Sequence, residues 1–167
     1  TTPTATFSHT FKNDRTTAKI HIYKVDKETG KAVPQGDAKL EGAVYGLYAR
    51  NDISQPYGAT DIIFKAGDLI ATLTTDSKGE AEVKNLYLGN YYVKEIEPSE
   101  GYLLDEEEHD VICDYENDLV AEVSRSTKST EQVIKQPFQL IKVSENGDDT
   151  EEPLLSGAGF TAFLKSS

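Results

Sequence analysis

Every run of this chain that carries a regular hydrophobic pattern alternates with a period of two, and that alternation constrains the fold more than any other feature. "AKIHIYKVD" (Ala18 to Asp26) sets Ile20, Ile22 and Lys24 on one side of an extended chain, and "AVYGLYAR" (Ala43 to Arg50) and "DLIATLTTD" (Asp68 to Asp76) read the same way. "EAEVKNLYLG" and "NYYVKEIEPSEGYLL" (Asn90 to Leu104) follow, and "HDVICDYENDLVAEV" (His109 to Val123) reads as a hairpin turning at Glu116, Asn117 and Asp118. Turn chemistry such as "KETGK" and "SKG" separates the runs. No window shows helical period with caps. Short strands at regular spacing predict an all-β, antiparallel sandwich.

Apolar residues are only 37% of the 167, yet Tyr, Val, Ile and Thr are plentiful, and those types suit a half-buried pleated surface. The net charge of −12 comes without a basic patch, which argues against nucleic acid as a partner. The single cysteine, Cys113, excludes an intrachain disulfide and reads as a small buried hydrophobe. No apolar run is long enough to cross a membrane as a helix. The chain opens "TTPTATF" and contains no Met, so it reads as a piece of a longer protein.

The sequence repeats itself. "AKIHIYKVD" aligns with "QPFQLIKVS" (Gln136 to Ser144), which matches Lys24 to Lys142. "LEGAVYGLY" (Leu40 to Tyr48) aligns with "LSGAGFTAF" (Leu155 to Phe163). "ATFSHTFKND" puts Phe7, Phe11 and Asn13 on one strand face, as a last strand would. The expected organisation is therefore a last strand of a preceding module at 1–16, a complete module at 17–135, and the first two strands of a following module at 136–167.

Two charges break the apolar faces. Lys24 ends the inward set of the first run, and Glu95 shares a face with Tyr91 and Val93. Each alone suits a half-exposed strand end. Together they suit a buried pair, since burial lowers a lysine pKa, raises a glutamate pKa and leaves a neutral amine beside a proton-carrying acid.

"IYKVDKETGK", "LEGAVYGLYA" and "YYVKEIEPSEGYLLD" together resemble the collagen-adhesin B-type (Cna-B) and SpaA-type pilin domains of Gram-positive surface proteins, and the last motif is similar to the family's E-box. The resemblance implies a prealbumin-like, transthyretin-like β-sandwich. It implies a structural stalk or spacer module of a cell-wall-anchored adhesin or pilin, secreted to the cell surface, that turns over no substrate. It also implies a spontaneous Lys–Asn isopeptide bond, with Lys24 as the amine and Glu95 as the proton shuttle. Where the family carries Asn near the end of the last strand, the ungapped repeat sets Glu131 opposite Asn13. The resemblance thus leaves two readings for the central module: a Lys24 crosslink to Glu131, or an unlinked Lys24–Glu95 ion pair joined by Glu131. Asn13 and Lys142 are crosslink candidates of the neighbouring modules. Those modules are the implied partners, with host matrix protein or glycan as the alternative, gripped through loops such as Asn51 to Lys65. No cofactor is implied.

Other chemistries find little support. No nucleophile elbow, zincin, P-loop or dinucleotide motif is present. Paired glycosidase carboxylates rest on nothing beyond the abundance of Asp and Glu. "LLDEEEHD" and "ENGDDTEE" lack EF-hand spacing and read as solvated loops, with no metal site expected. His9, His21 and His109 read as surface residues, and Tyr48, Tyr57 and Tyr87 as cover for the sheets.

Overall fold

The computed structural model describes residues 8–10, 14–56, 61–141, 157 and 159–163, and every structural statement below concerns these. The chain divides into two units, Thr1–Ile134 and Lys135–Ser167. The first unit holds nine strands: β1 (Thr17–Asp26), β2 (Val44–Ala49), β3 (Ile53–Ser54), β4 (Ile62–Phe64), β5 (Leu69–Thr74), β6 (Glu80–Leu86), β7 (Gly89–Glu97), β8 (His109–Cys113) and β9 (Glu122–Glu131). No helix occurs among the described residues, as the period-two patterning predicts.

The strands form two sheets, β6-β1-β9 and β5-β2-β7-β8, with β3 and β4 paired beside them. Alternation decides what meets between the layers. Ala18, Ile20, Ile22 and Ala81 face inward from the first sheet, and Tyr45, Leu47, Tyr91, Val93, Val111 and Cys113 from the second. Each large apolar side chain buried this way contributes about 1.5–3 kcal/mol. All-β architecture and a buried Cys113 are as expected from the sequence.

The first and last strands of the unit are neighbours. β1 pairs with β9 in parallel along the whole of both strands, from Thr17 opposite Glu122 to Asp26 opposite Glu131. The expected hairpin at His109 to Val123 is corrected here, because its two arms lie in different sheets: β8 pairs with β7, whereas β9 pairs with β1. The turn itself forms, with Leu119 N donating to Asn117 Oδ1 at 2.9 Å and Val120 N to Asn117 O at 3.2 Å. It serves as a crossing between layers. Val111 and Cys113 already fill the core from one sheet, and β9 covers the edge that β1 would otherwise expose.

Gly79 brings a neighbouring turn against the buried end of β1. It adopts φ +77°, and a Cβ there would meet Lys24 O at 2.9 Å. Lys24 N in turn donates to Gly79 O at 2.8 Å, so the "SKG" turn is fastened to the lysine's own backbone.

In the second unit, residues 136–141 and 159–163 form no strand, although the repeat predicts strands there. An isolated pair of strands is marginal without a third partner or a packed face.

Candidate functional site

Lys24, Glu95 and Glu131 meet between the two sheets, and none of the three side chains has any solvent-exposed surface. Strand alternation places them there. Lys24 continues the inward set Ala18, Ile20, Ile22 on β1, Glu95 continues Tyr91 and Val93 on β7, and Glu131 ends β9. Lys24 Nζ forms an ion pair with Glu131 Oε2 and a longer contact of 3.4 Å with Glu95 Oε1. The lysine therefore sits closer to Glu131 than to the Glu95 of the sequence-derived pair. Asn13 and Lys142, the remaining candidates, lie outside the described residues.

Each carboxylate is held by groups that the sequence reading did not single out. Glu95 Oε2 accepts from Asp105 N at 2.7 Å. Glu131 Oε1 accepts from the Tyr45 hydroxyl at 2.5 Å, across the gap between sheets. Ser129 Oγ lies 3.2 Å from the same oxygen and 2.9 Å from Asp105 Oδ2. It has one proton and can donate to only one of them at a time. Glu131 Oε2 accepts no hydrogen bond among the described residues and faces the amine alone. His109 Nε2 is 2.8 Å from Asp105 Oδ2, which links the cluster to a half-buried histidine rather than the plain surface residue expected. Signals for Tyr45 and Ser129 were present: Tyr45 stands where the repeat carries Phe160, and Ser129 shares the inward face of Glu131 two residues earlier.

Burial pushes the Lys24 amine down, against the opposing charges of Glu95 and Asp105. Burial pushes the Glu95 carboxyl up, opposed by the Asp105 amide and by Lys24. Both shifts favour the uncharged forms. Burial also raises the Tyr45 phenol, which keeps it a donor. Asp105 goes the other way: burial would raise it, but His109, the Glu107 amide and Ser129 hold it below the usual carboxylate range. The chemical capacity of the cluster is condensation, with an amine against a carboxyl carbon and a second acid beside the amine to carry protons.

The loop that follows β7 closes the cluster. Gly101 adopts φ +85°, and a Cβ there would lie 2.7 Å from Ala38 Cβ. That close approach turns Tyr102 inward, so its ring centroid lies 4.7 Å from Lys24 Nζ and its hydroxyl donates to Asp26 Oδ2 at 3.2 Å. Asp26 is fully buried and also accepts from Glu28 N, Thr29 N and Gln35 Nε2. Burial would raise its pKa, but the Thr29 amide, Gln35 and Tyr102 bonds lower it overall. Asp26→Asn should destabilise the fold by about 2–3 kcal/mol at pH 7, measured by urea unfolding, because it sets amide hydrogens against these donors. A depressed carboxylate stabilises fully above its unfolded value near 4 and stops doing so as pH falls through the folded value. The two proteins should therefore converge only below about pH 4.

The remaining expected sites divide. Asp105, Glu107 and His109 present ligand atoms within 4.8 Å of one another, but Asp105 already accepts from His109, Ser129 and Glu107 N. "ENGDDTEE" and Tyr57 lie outside the described residues. Tyr48 stacks on Tyr92, and Tyr87 lies under the Arg15 guanidinium, as sheet cover. A cleft of about 250 Å³ beside the Asn51–Lys65 segment is lined by Arg15, Ser54, Pro56, Tyr87 and Tyr115 among others. Its guanidinium already donates to Leu86 O and Asn85 O at 2.8 Å.

Comparison with known proteins matches residues 18–128 to a family described as SpaA, prealbumin-like fold domain. No curated protein matches the sequence. Among solved structures, the Bacillus anthracis TIE protein is similar at TM-score 0.50 and 22% identity, over 71% of this chain and 18% of that one. The minor pilin of Streptococcus agalactiae is similar at TM-score 0.47 and 22% identity, over 77% and 49%. The major pilin SpaD of Corynebacterium diphtheriae is similar at 0.46 and 19%, over 72% and 30%. The chain thus spans less than half the length of each of these relatives. The likeness to the first is one of fold.

Proposed function

Because the chain belongs to the SpaA family of prealbumin-like fold domains, a structural family, we propose that it contributes a load-bearing stalk module to a pilin-like protein of the Gram-positive cell surface, clamped by an isopeptide bond between Lys24 and Glu131. The observation that carries this reading is the Lys24–Glu131 contact, which is unexposed and joins the first strand of the sandwich to its parallel neighbour, the last. Glu95, beside the same amine, is the proton shuttle. Glu131 brings a carboxylate where the repeat carries the amide of Asn13, so the bond forms with loss of water rather than ammonia. In this reading 17–135 is the module, and 1–16 and 136–167 belong to its neighbours in an array. Asn13 and Lys142 serve those modules, which are the protein's partners.

The test is intact mass with peptide mapping. The purified chain should weigh about 18 Da less than its sequence, one water, with the missing mass on a branched peptide joining Lys24 to Glu131. Trypsin should fail to cut after Lys24. An unshifted mass with Lys24 open to trypsin and acetylation ends the crosslink reading.

A further inference from the structure

We infer that Tyr45 is a catalytic residue of the Lys24–Glu131 condensation, its hydroxyl polarising Glu131 Oε1 so that the carboxyl carbon becomes open to the amine. This rests on the crosslink reading above. Of the two carboxyl oxygens, Oε1 is held by the Tyr45 hydroxyl at 2.5 Å, while Oε2 faces Lys24 Nζ and accepts no hydrogen bond among the described residues. The two oxygens thus have different surroundings before any reaction begins. Oε1 is placed as the carbonyl oxygen and Oε2 as the one that leaves.

The step balances. Nζ bonds to Cδ of Glu131, and the negative charge that collects on Oε1 meets a donor already aimed at it. The Cδ–Oε2 bond then breaks. With the amine neutral and Glu95 protonated, Glu95 gives its own proton to Oε2 and relays one more from Nζ, 3.4 Å from its Oε1, so that Oε2 leaves as water and the negative charge of Glu131 passes to Glu95. One amide and one water result, with no net change in charge. Ser129 assists when its proton turns from Asp105 to Oε1. Tyr45 is fully buried on β2, the strand beside Glu95, and the ladder opposes it to Glu95. Its ring is anchored in the core, so the hydroxyl needs no rearrangement to act.

The repeat bears on the two positions separately, Asn13 belonging to the preceding module and Phe160 to the following one. Where the aligned repeats of this chain carry Asn13 at the acceptor position and Phe160 at the β2 position, the central module carries Glu131 and Tyr45. A phenylalanine would leave Oε1 without this donor. The hydroxyl and the carboxylate that accepts from it both occur in the central module.

Tyr45→Phe removes one oxygen and keeps the ring. The full chain and Y45F are made by pulsed cell-free synthesis, and the linear and water-loss forms are followed by mobility and intact mass, with circular dichroism confirming the fold. Y45F should fold and close the bond at least about tenfold more slowly, the direction seen when an oxyanion donor is removed. Equal rates overturn the assignment and leave the crosslink standing. A wild-type chain that never loses water ends the crosslink reading and this assignment with it. Should Y45F fail to fold, Tyr45→3-fluorotyrosine keeps shape and hydroxyl while making the phenol a stronger acid. It should close the bond severalfold faster, and an unchanged rate overturns the assignment.

Discussion

Replacing Lys24 with methionine should lower the melting temperature by more than about 15 °C, the first of two large effects expected of this site. The substitution keeps most of the buried stem and removes only the amine. Glu95 and Glu131 then remain, both without exposed surface and with no cation between them. Breaking a buried ion pair by removing one partner costs about 3–5 kcal/mol. With the proposed crosslink formed, an amide stands in place of that pair, and losing a bond that closes a loop of about 100 residues costs roughly 4–5 kcal/mol on the chain-entropy view. The pH dependence separates the electrostatic part. Glu95 already titrates above its ordinary range because of burial, even with Lys24 beside it. A carboxyl raised in the folded state stabilises fully below its unfolded value near 4.3 and loses that contribution as pH rises through the folded value. The deficit of K24M should therefore shrink as pH falls from 7.5 towards 5, and adding Glu95→Gln should recover part of it at pH 7.5. Calorimetry that finds K24M within about 3 °C of wild type would mean the cluster does not hold the fold together.

What could be seen in the sequence followed from alternation. Lys24 and Glu95 were legible because each continues a run of inward apolar residues, and a strand leaves no choice of face. Glu131 was legible only through the repeat, since "STKSTEQVIK" has no apolar stripe to orient it. The layer crossing between Cys113 and Glu122 was not legible. Two strand-like runs around a turn signal look alike whether they pair with each other or with strands far away, and the parallel β1–β9 pairing is set by contacts a hundred residues apart. Tyr45 was hidden for another reason. In a run such as "AVYGLYAR" a tyrosine counts as an apolar residue, and the partner of its hydroxyl lies on the opposite sheet. Asp26 and Tyr102 sat inside the motifs that carry the family likeness, but their bond to each other joins the end of β1 to a loop 76 residues further along the chain.

Pulling on the module from its ends should give the second large effect. Tension enters at Thr17, the start of β1, and leaves at Glu131, the end of β9. Because these strands are parallel neighbours in continuous register, the load shears the whole ladder at once. The proposed Lys24–Glu131 bond would shorten the force path further. Tension would then run up β1 to Lys24, cross the side chains and exit, so that the residues from Val25 to Thr130 would carry none. In single-molecule stretching, the wild-type module should lengthen by less than about 3 nm, the reach of the few residues before Lys24. K24M should instead unfold in one step that releases roughly 35–40 nm of chain, about 3.3–3.6 Å for each of some hundred residues. The same long step in the wild type would show that nothing covalent joins the two strands, whatever the strength of the ion pair. A short wild-type extension beside a long K24M step would place the mechanical function of the module in one buried side-chain bond.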